Sequence, residues 1–258
     1  MKIGVVGLGL IGGSIFKSLL ALSYDVVGIS KSQQGQRIYS DYKMLKDCNI
    51  VFVCSPMNKT LEVLADLESY VDAETIVTDV CSLKEFVSKK KYSYKFVPSH
   101  PMAGTEHKGY EHSFAELFNG ATWAITPIED FDYLSLVTLI EKMGAHVVVT
   151  SPQKHDEAVA MISHMPMVIS QALFSVASEN ELALKLASSG FRDMTRLALS
   201  NEEMAQDMIS LNSDNIQNSI LKLYSEVGNL MSSDYLANIS RIKKQRSVMY
   251  KNGKNVYK

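Results

Sequence analysis

The chain of 258 residues is 46% hydrophobic and 21% charged, with a formal net charge of −2. That balance fits a folded globular protein and excludes a disordered or fibrous one, and the length favours two domains. No apolar run is expected to approach the ~20 residues of a membrane span, and the chain enters a strand at once without a leader, so a cytoplasmic protein with no membrane partner is expected.

The first 150 residues alternate strand and helix signals. Lys2–Val6, Asp25–Ile29, Ile50–Cys54, Thr75–Asp79, Phe96–Ser99, Ala121–Thr126 and His146–Thr150 read as strands, because they are short, apolar and often β-branched. Ile11–Leu22, Lys59–Tyr70, Leu83–Lys90 and Tyr133–Met143 read as helices, and one short helix is expected between Lys31 and Asp47. Such alternation predicts a mostly parallel sheet with helices on both faces, an α/β Rossmann-type doubly wound domain over 1–150. The pattern changes at Ser151-Pro152, which read as an N-cap followed by Pro at the first helical position. Residues 151–258 are expected to form an all-helical domain whose methionines fill a core or an interface.

Cys48, Cys54 and Cys81 lie in or beside predicted strands, without C-x-x-C spacing, and read as buried thiols in a reducing compartment. No histidine or cysteine pattern predicts a metal. Seven Lys or Arg and no acid occupy the last 18 residues. A basic tail of this kind can touch nucleic acid or membrane; here it is expected to complement a helix C-terminus and fray, with no nucleic-acid partner.

The most informative segment is Gly7-Leu8-Gly9-Leu10-Ile11-Gly12-Gly13, a G-x-G-x-x-G string between a predicted strand and a predicted helix. Gly7 permits the tight turn, Gly9 lets a pyrophosphate approach the backbone, and Gly12 lets helix and strand pack. Leu8, Leu10 and Ile11 complete the loop whose amides face the phosphates. A ribose selector is expected at the end of the second strand, about 20 residues on. Ser30, Lys31 and Ser32 stand there with no carboxylate, which suits the 2′-phosphate of NADP. The alternative is that Lys31 is a solvated loop residue and NAD is tolerated.

Strand five leads into Ser99-His100-Pro101-Met102-Ala103-Gly104-Thr105-Glu106. A histidine leaving the carboxyl end of a parallel strand would sit in the ligand crevice with a pKa suited to proton transfer. Together with Gly7 to Ser14, Thr78 to Lys84, His155-Asp156, Ser163 to Pro166 and Gly190 to Arg196, this string resembles the prephenate/arogenate dehydrogenases of tyrosine biosynthesis.

The resemblance implies oxidative decarboxylation of a cyclohexadienol that becomes aromatic. It implies that His100 accepts the 4-hydroxyl proton and that Ser82 helps place that hydroxyl and the nicotinamide. Arg192 and Arg196, four apart on one expected helical face, would clamp carboxylates; by themselves they could equally form a surface ion-pair face with Asp193 and Glu202. Glu106, Thr105 and His164 are carried over as substrate-side residues, and Cys54, Ser55, Pro56 and Asp79 as cofactor-side residues. Met167 stands where many prephenate-specific relatives have a second histidine, which resembles the arogenate-preferring, NADP-using branch. The resemblance also implies a homodimer through the helical domain, and the stripe Ile216, Ile220, Leu223, Val227 and Leu230 could bury against a partner or complete one chain's own core. No mutase segment or separate regulatory domain is expected. A β-hydroxyacid or imine reductase remains the alternative from the same architecture; Lys154, at the start of the first long helix, is the only lysine found there.

Overall fold

A computed structural model describes residues 1–105, 107–232, 234–251 and 254–255. The chain divides into two compact units, Met1–Asp156 and Glu157–Lys258.

The first unit is built on six parallel strands: β1 (Lys2–Val6), β2 (Asp25–Ile29), β3 (Ile38–Tyr39), β4 (Ile50–Val53), β5 (Ile76–Asp79) and β6 (Lys95–Phe96), in the order β3-β2-β1-β4-β5-β6. β4 and β5 are buried along their whole length and β1 over Ile3–Val6. That is why they read as continuous apolar runs rather than alternating ones. The order reverses between β1 and β4, and in such sheets ligands bind outside the carboxyl ends at that reversal. α1 (Leu10–Ala21) follows β1, and α2 (Met57–Asp66) follows β4. Ile3, Val5, Ile15, Leu19, Phe52 and Trp123 are centres of one core cluster.

A second sheet holds β7 (Ser99–Pro101) antiparallel to β8 (Thr122–Ile125), which runs parallel to β9 (His146–Val149); α3 (Leu134–Lys142) lies between β8 and β9 in the chain. The single strand expected over Phe96–Ser99 is therefore two. Pro98 has no amide hydrogen to extend the first ladder, and its carbonyl instead accepts from Thr126 N–H at 2.9 Å. His100 consequently stands within an antiparallel strand and does not leave the end of a parallel one.

One further local expectation is corrected. Leu83–Lys90 forms only a 3₁₀ turn at Val87–Lys89. The Ser88 hydroxyl bonds the Lys84 carbonyl, local bonding that competes with a propagating helix. Between Lys31 and Asp47 the helix is a 3₁₀ turn, Tyr42–Leu45, capped by Asp41 accepting from Lys43 N–H at 2.9 Å. The two-residue β3 beside it was not anticipated.

The second unit is helical. α4 (Pro152–Val159) straddles the division and runs into a π turn over Ala160–His164 and then α5 (Met165–Ser178). Pro166 cannot donate to the carbonyl of Ile162, which accounts for the widened turn. α6 (Glu181–Leu186), α7 (Ser189–Thr195), α8 (Glu202–Ser232) and α9 (Tyr235–Met249) follow, α8 being kinked at Asn212 (φ −131°, ψ 23°). The basic tail holds two short antiparallel strands, β10 (Tyr250–Lys251) and β11 (Lys254–Asn255).

Pro152–Ser178 is a continuous helical run of 27 residues with a mean hydropathy of 1.5. By length and composition alone it could cross a membrane, which corrects the expectation that no run approached that length. The interspersed Ser163, His164, Pro166 and Ser170 hide the run in the sequence. A core or interface helix has the same composition, and His164 and Ser170 within it are buried polar residues.

Candidate active site

The glycine turn is built as its spacing requires. Gly7 has φ +87°, and a Cβ there would meet the Cys54 carbonyl oxygen at 2.7 Å. A Cβ on Gly12 would stand 1.9 Å from the Gly7 carbonyl oxygen. These contacts bring α1 against the end of β1. Gly9, the N-cap of α1, has open space where its Cβ would be and offers no side chain to the helix amides. This cradle, with the half-buried Leu10 and Ile11, fits a pyrophosphate held by backbone amides. Leu8 is buried in the core and can contribute only its backbone.

At the tip of β2, Ser30 accepts from the amides of Ser32 at 3.3 Å and Gln33 at 3.0 Å. Its hydroxyl thus shapes a turn in which Lys31 and Ser32 are exposed. At the tip of β4, Cys54 N–H donates to the Val6 carbonyl at 2.7 Å, and the Ser55 hydroxyl pairs with Thr60 at 2.9 Å beside the exposed Pro56. Burial, with smaller contributions from Cys81 and Asp79, holds the Cys54 thiol well above its usual range. The Cys81 thiol is pushed up to about 12, chiefly by burial and then by Asp79. Both are neutral, inert thiols rather than nucleophiles.

Asp79, read from the sequence as a cofactor contact, is wholly enclosed. Its carboxylate pairs with the ammonium of Lys84 and accepts from the amides of Cys81 at 2.9 Å and Ser99 at 3.3 Å. Its oxygens are thus engaged by the protein's own groups. Lys84, equally enclosed, also donates to the Ser99 carbonyl at 2.7 Å. Ser82, two residues away in the same segment, is half-buried.

His100 is half-buried on β7. Its Nδ1 lies 3.0 Å from Nε2 of His155, and Nδ1 of His155 lies 2.7 Å from Oδ1 of Asp156. The Asp156 carboxylate accepts the amides of Lys84 and Glu85, each at 2.9 Å. His155 and Asp156 are almost fully buried. The chain therefore holds an imidazole, a second imidazole and a carboxylate in series. Sequence reasoning noted His155-Asp156 as a motif but gave it no part in the site, and it gave Lys84 none. A histidine beside an aspartate at the start of a helix was the available signal, and the polar Gln153, Lys154 and Glu157 around the pair hide it.

Thr105, beyond β7, is exposed and accepts from His107 N–H at 3.2 Å. Glu106 lies outside the described residues. In the helical unit Arg192 is on α7, exposed, with Nε 3.4 Å from Asp193. Arg196, also exposed, opens a separate 3₁₀ turn, Arg196–Leu199. The two arginines do not share one continuous helical face, because the backbone breaks at Thr195 (φ −102°, ψ 6°). Arg192 borders an open cavity of about 560 Å³ with Phe174, Leu184 and Phe191. His164 is buried in the π turn, its Nδ1 3.2 Å from the side-chain nitrogen of Asn212 at the kink of α8. Met167 is buried on α5.

Strand order, glycine cradle and a half-buried histidine in the same unit, followed by a helical unit, fit a Rossmann-type oxidoreductase. Residues 30–149 match the family model for the prephenate dehydrogenase nucleotide-binding domain, and residues 151–238 match that for its dimerization domain. The chain belongs to the prephenate/arogenate dehydrogenase family.

A prephenate dehydrogenase of Bacillus subtilis is 32% identical over 82% of this chain and 64% of its own length. This chain thus spans a little under two thirds of that relative. The crystal structure of Synechocystis arogenate dehydrogenase is 30% identical, covers 98% of both chains and superposes with a TM-score of 0.81. Prephenate dehydrogenase from A. aeolicus, solved in complex with hydroxyphenyl propionate and NAD+, is 25% identical over 95% of this chain and 97% of its own, with a TM-score of 0.82.

Proposed function

We propose that the chain oxidises and decarboxylates arogenate to tyrosine, with hydride transfer to NADP. The observation that carries this reading is His100, an imidazole wired to a buried carboxylate in the same unit as a glycine cradle. A general base so held suits removal of a hydroxyl proton. When bound, the nicotinamide would accept the hydride from the ring carbon that bears the hydroxyl. His100 takes the hydroxyl proton, Ser82 helps to orient that hydroxyl, and loss of the ring carboxylate as CO2 makes the ring aromatic. Arg192 and Arg196 are the cations suited to the substrate's carboxylates, with Thr105, Glu106 and His164 completing its recognition.

Support for NADP comes from the β2 tip, where an exposed lysine and serine stand and no carboxylate repels a 2′-phosphate. Gly7, Gly9 and Gly12, with Leu8, Leu10, Ile11, Cys54, Ser55 and Pro56, form the remaining cofactor edge. Support for arogenate comes from Met167, which offers no hydrogen bond to a keto acid, and from the likeness to the Synechocystis enzyme. Prephenate, with 4-hydroxyphenylpyruvate as product and NAD or NADP as acceptor, is the second reading; the name of the B. subtilis relative favours it.

A cytoplasmic homodimer is part of the proposal. Val176, Leu182, Leu186, Tyr224 and Met231 are large apolar residues each more than half exposed in the single chain, and such a surface calls for a partner. The test is a two-by-two kinetic comparison, arogenate and prephenate against NADP and NAD. A kcat/KM highest for arogenate with NADP supports the reading, and preference for prephenate with NAD overturns it.

A further inference from the structure

We propose that His155 and Asp156 are positioning residues that fix the protonation pattern of His100 and present its Nε2 as the basic nitrogen. The proposal rests on the functional reading above and deepens it. Both oxygens of Asp156 accept backbone amides, Oδ1 from Lys84 and Oδ2 from Glu85, each at 2.9 Å. A backbone amide only donates, so this carboxylate is held as an acceptor at both oxygens.

His155 Nδ1, 2.7 Å from Oδ1, must then carry the proton of that contact. A neutral imidazole has one N–H, which leaves Nε2 of His155 as an acceptor. His100 Nδ1, 3.0 Å from it, must donate. The lone pair of a neutral His100 is thereby assigned to Nε2. The same logic gives Lys84 a double part. Its backbone amide fixes the carboxylate end of the series, and its ammonium fixes the Ser99 carbonyl immediately before His100. One enclosed residue therefore sets both ends of the arrangement.

The consequence for the reaction is a defined proton destination. The substrate O–H bond breaks and an N–H bond forms at His100 Nε2 as a bound dinucleotide would take the hydride; when the ring carboxylate leaves as CO2, its electron pair passes into the ring and the oxygen takes the proton back from Nε2 as the phenol. The positive charge created on His100 is met by the Asp156 anion through His155, with no rearrangement of protons at Nδ1. A second proton on His155 would reverse the direction of the contact and place the His100 proton on Nε2, where it blocks the base. The two amide donors hold the carboxylate end of the series in place.

The test uses the 258-residue chain, His155→Gln and His155→Phe. The glutamine amide oxygen can stand in for Nε2 as acceptor, and phenylalanine keeps the ring without a nitrogen. Nitrogen-15 NMR of the imidazoles should show His100 protonated at Nδ1 and bare at Nε2 in the unsubstituted protein and in His155→Gln. With the preferred substrate and dinucleotide, His155→Phe should lose about 100-fold or more in kcat with KM and dinucleotide affinity changed less than about threefold, and His155→Gln should recover most of that loss.

A His100 proton found on Nε2 in the unsubstituted protein overturns the proposal, as does an unchanged kcat in folded His155→Phe. If His155→Phe fails to fold, the NMR assignment and the glutamine variant decide. Absence of turnover with both arogenate and prephenate overturns the functional reading instead, and the nitrogen shifts still judge the protonation pattern.

Discussion

The ammonium of Lys84 and the carboxylate of Asp79 form an ion pair from which solvent is wholly excluded. The pair ties the end of β5 to the start of β7, since Asp79 also accepts the Ser99 amide and Lys84 donates to the Ser99 carbonyl. Removing one partner strands a buried charge, whereas removing both does not. Lys84→Met should therefore lower unfolding free energy by about 3–5 kcal/mol, and adding Asp79→Leu should recover part of the loss. Urea denaturation of the two variants checks this. A Lys84→Met protein as stable as the parent would show that the pair carries no such strain.

The glycine loop separates folding from binding. A Cβ at Gly12 collides with the Gly7 carbonyl, so Gly12→Ala should lower the melting temperature and weaken dinucleotide binding together. Nothing lies within 4 Å of a Cβ at Gly9. Gly9→Ala should melt within a few degrees of the parent yet bind dinucleotide at least about tenfold more weakly, because the methyl group occupies the space through which a pyrophosphate approaches the amides. Calorimetric titration beside thermal melts distinguishes the two. Tight binding by Gly9→Ala would move the cradle elsewhere.

The contrast between these two sites shows what the sequence made legible. The glycine string, its strand and its helix obey local rules, so β1, α1 and the crevice could be placed from spacing alone. The apolar runs of β2, β4 and β5 were equally plain, because strands buried on both faces have no alternation to misread. Lys84 was hidden, since nothing in its neighbours announces that a lysine will be enclosed 0% exposed against Asp79. His100 was found for its chemistry but put on the wrong kind of strand, because the change of sheet depends on Pro98 and on a tertiary bond to Thr126. The His100–His155 contact joins residues 55 apart, and no periodicity within either element encodes it. The break between Arg192 and Arg196 at Thr195 was equally invisible to helical spacing.

The buried thiols make stability sensitive to alkali. Burial pushes Cys48 up to about 11, with Asp25 and Asp47 adding and Lys2 opposing, and Cys81 up to about 12. In the unfolded chain a thiol ionises from its ordinary pKa near 8.5. The folded state therefore retains protons that the unfolded state releases. The stabilisation is fully present below about pH 8.5 and is lost as pH rises toward 11 and 12. Unfolding free energy should fall between pH 8 and pH 10, and Cys48→Ala should fall less steeply. Denaturant titrations across that range check the slope. Equal slopes for parent and variant would remove Cys48 from the account.

Cofactor choice can be tested at one residue. The Ser30 hydroxyl accepts the amides of Ser32 and Gln33 in the turn after β2. An aspartate can accept the same amides, so Ser30→Asp should preserve the turn while placing a carboxylate where a ribose is expected. That charge attracts the free 2′-hydroxyl of NAD and repels the 2′-phosphate of NADP. The ratio of kcat/KM for NADP over NAD should fall by about tenfold or more, equivalent to about 1.4 kcal/mol of discrimination. Steady-state kinetics with both dinucleotides on the parent and Ser30→Asp measure the ratio. An unchanged ratio in a variant that melts like the parent would mean that the β2 tip does not meet the ribose, and the case for NADP from Lys31 and Ser32 would fall with it.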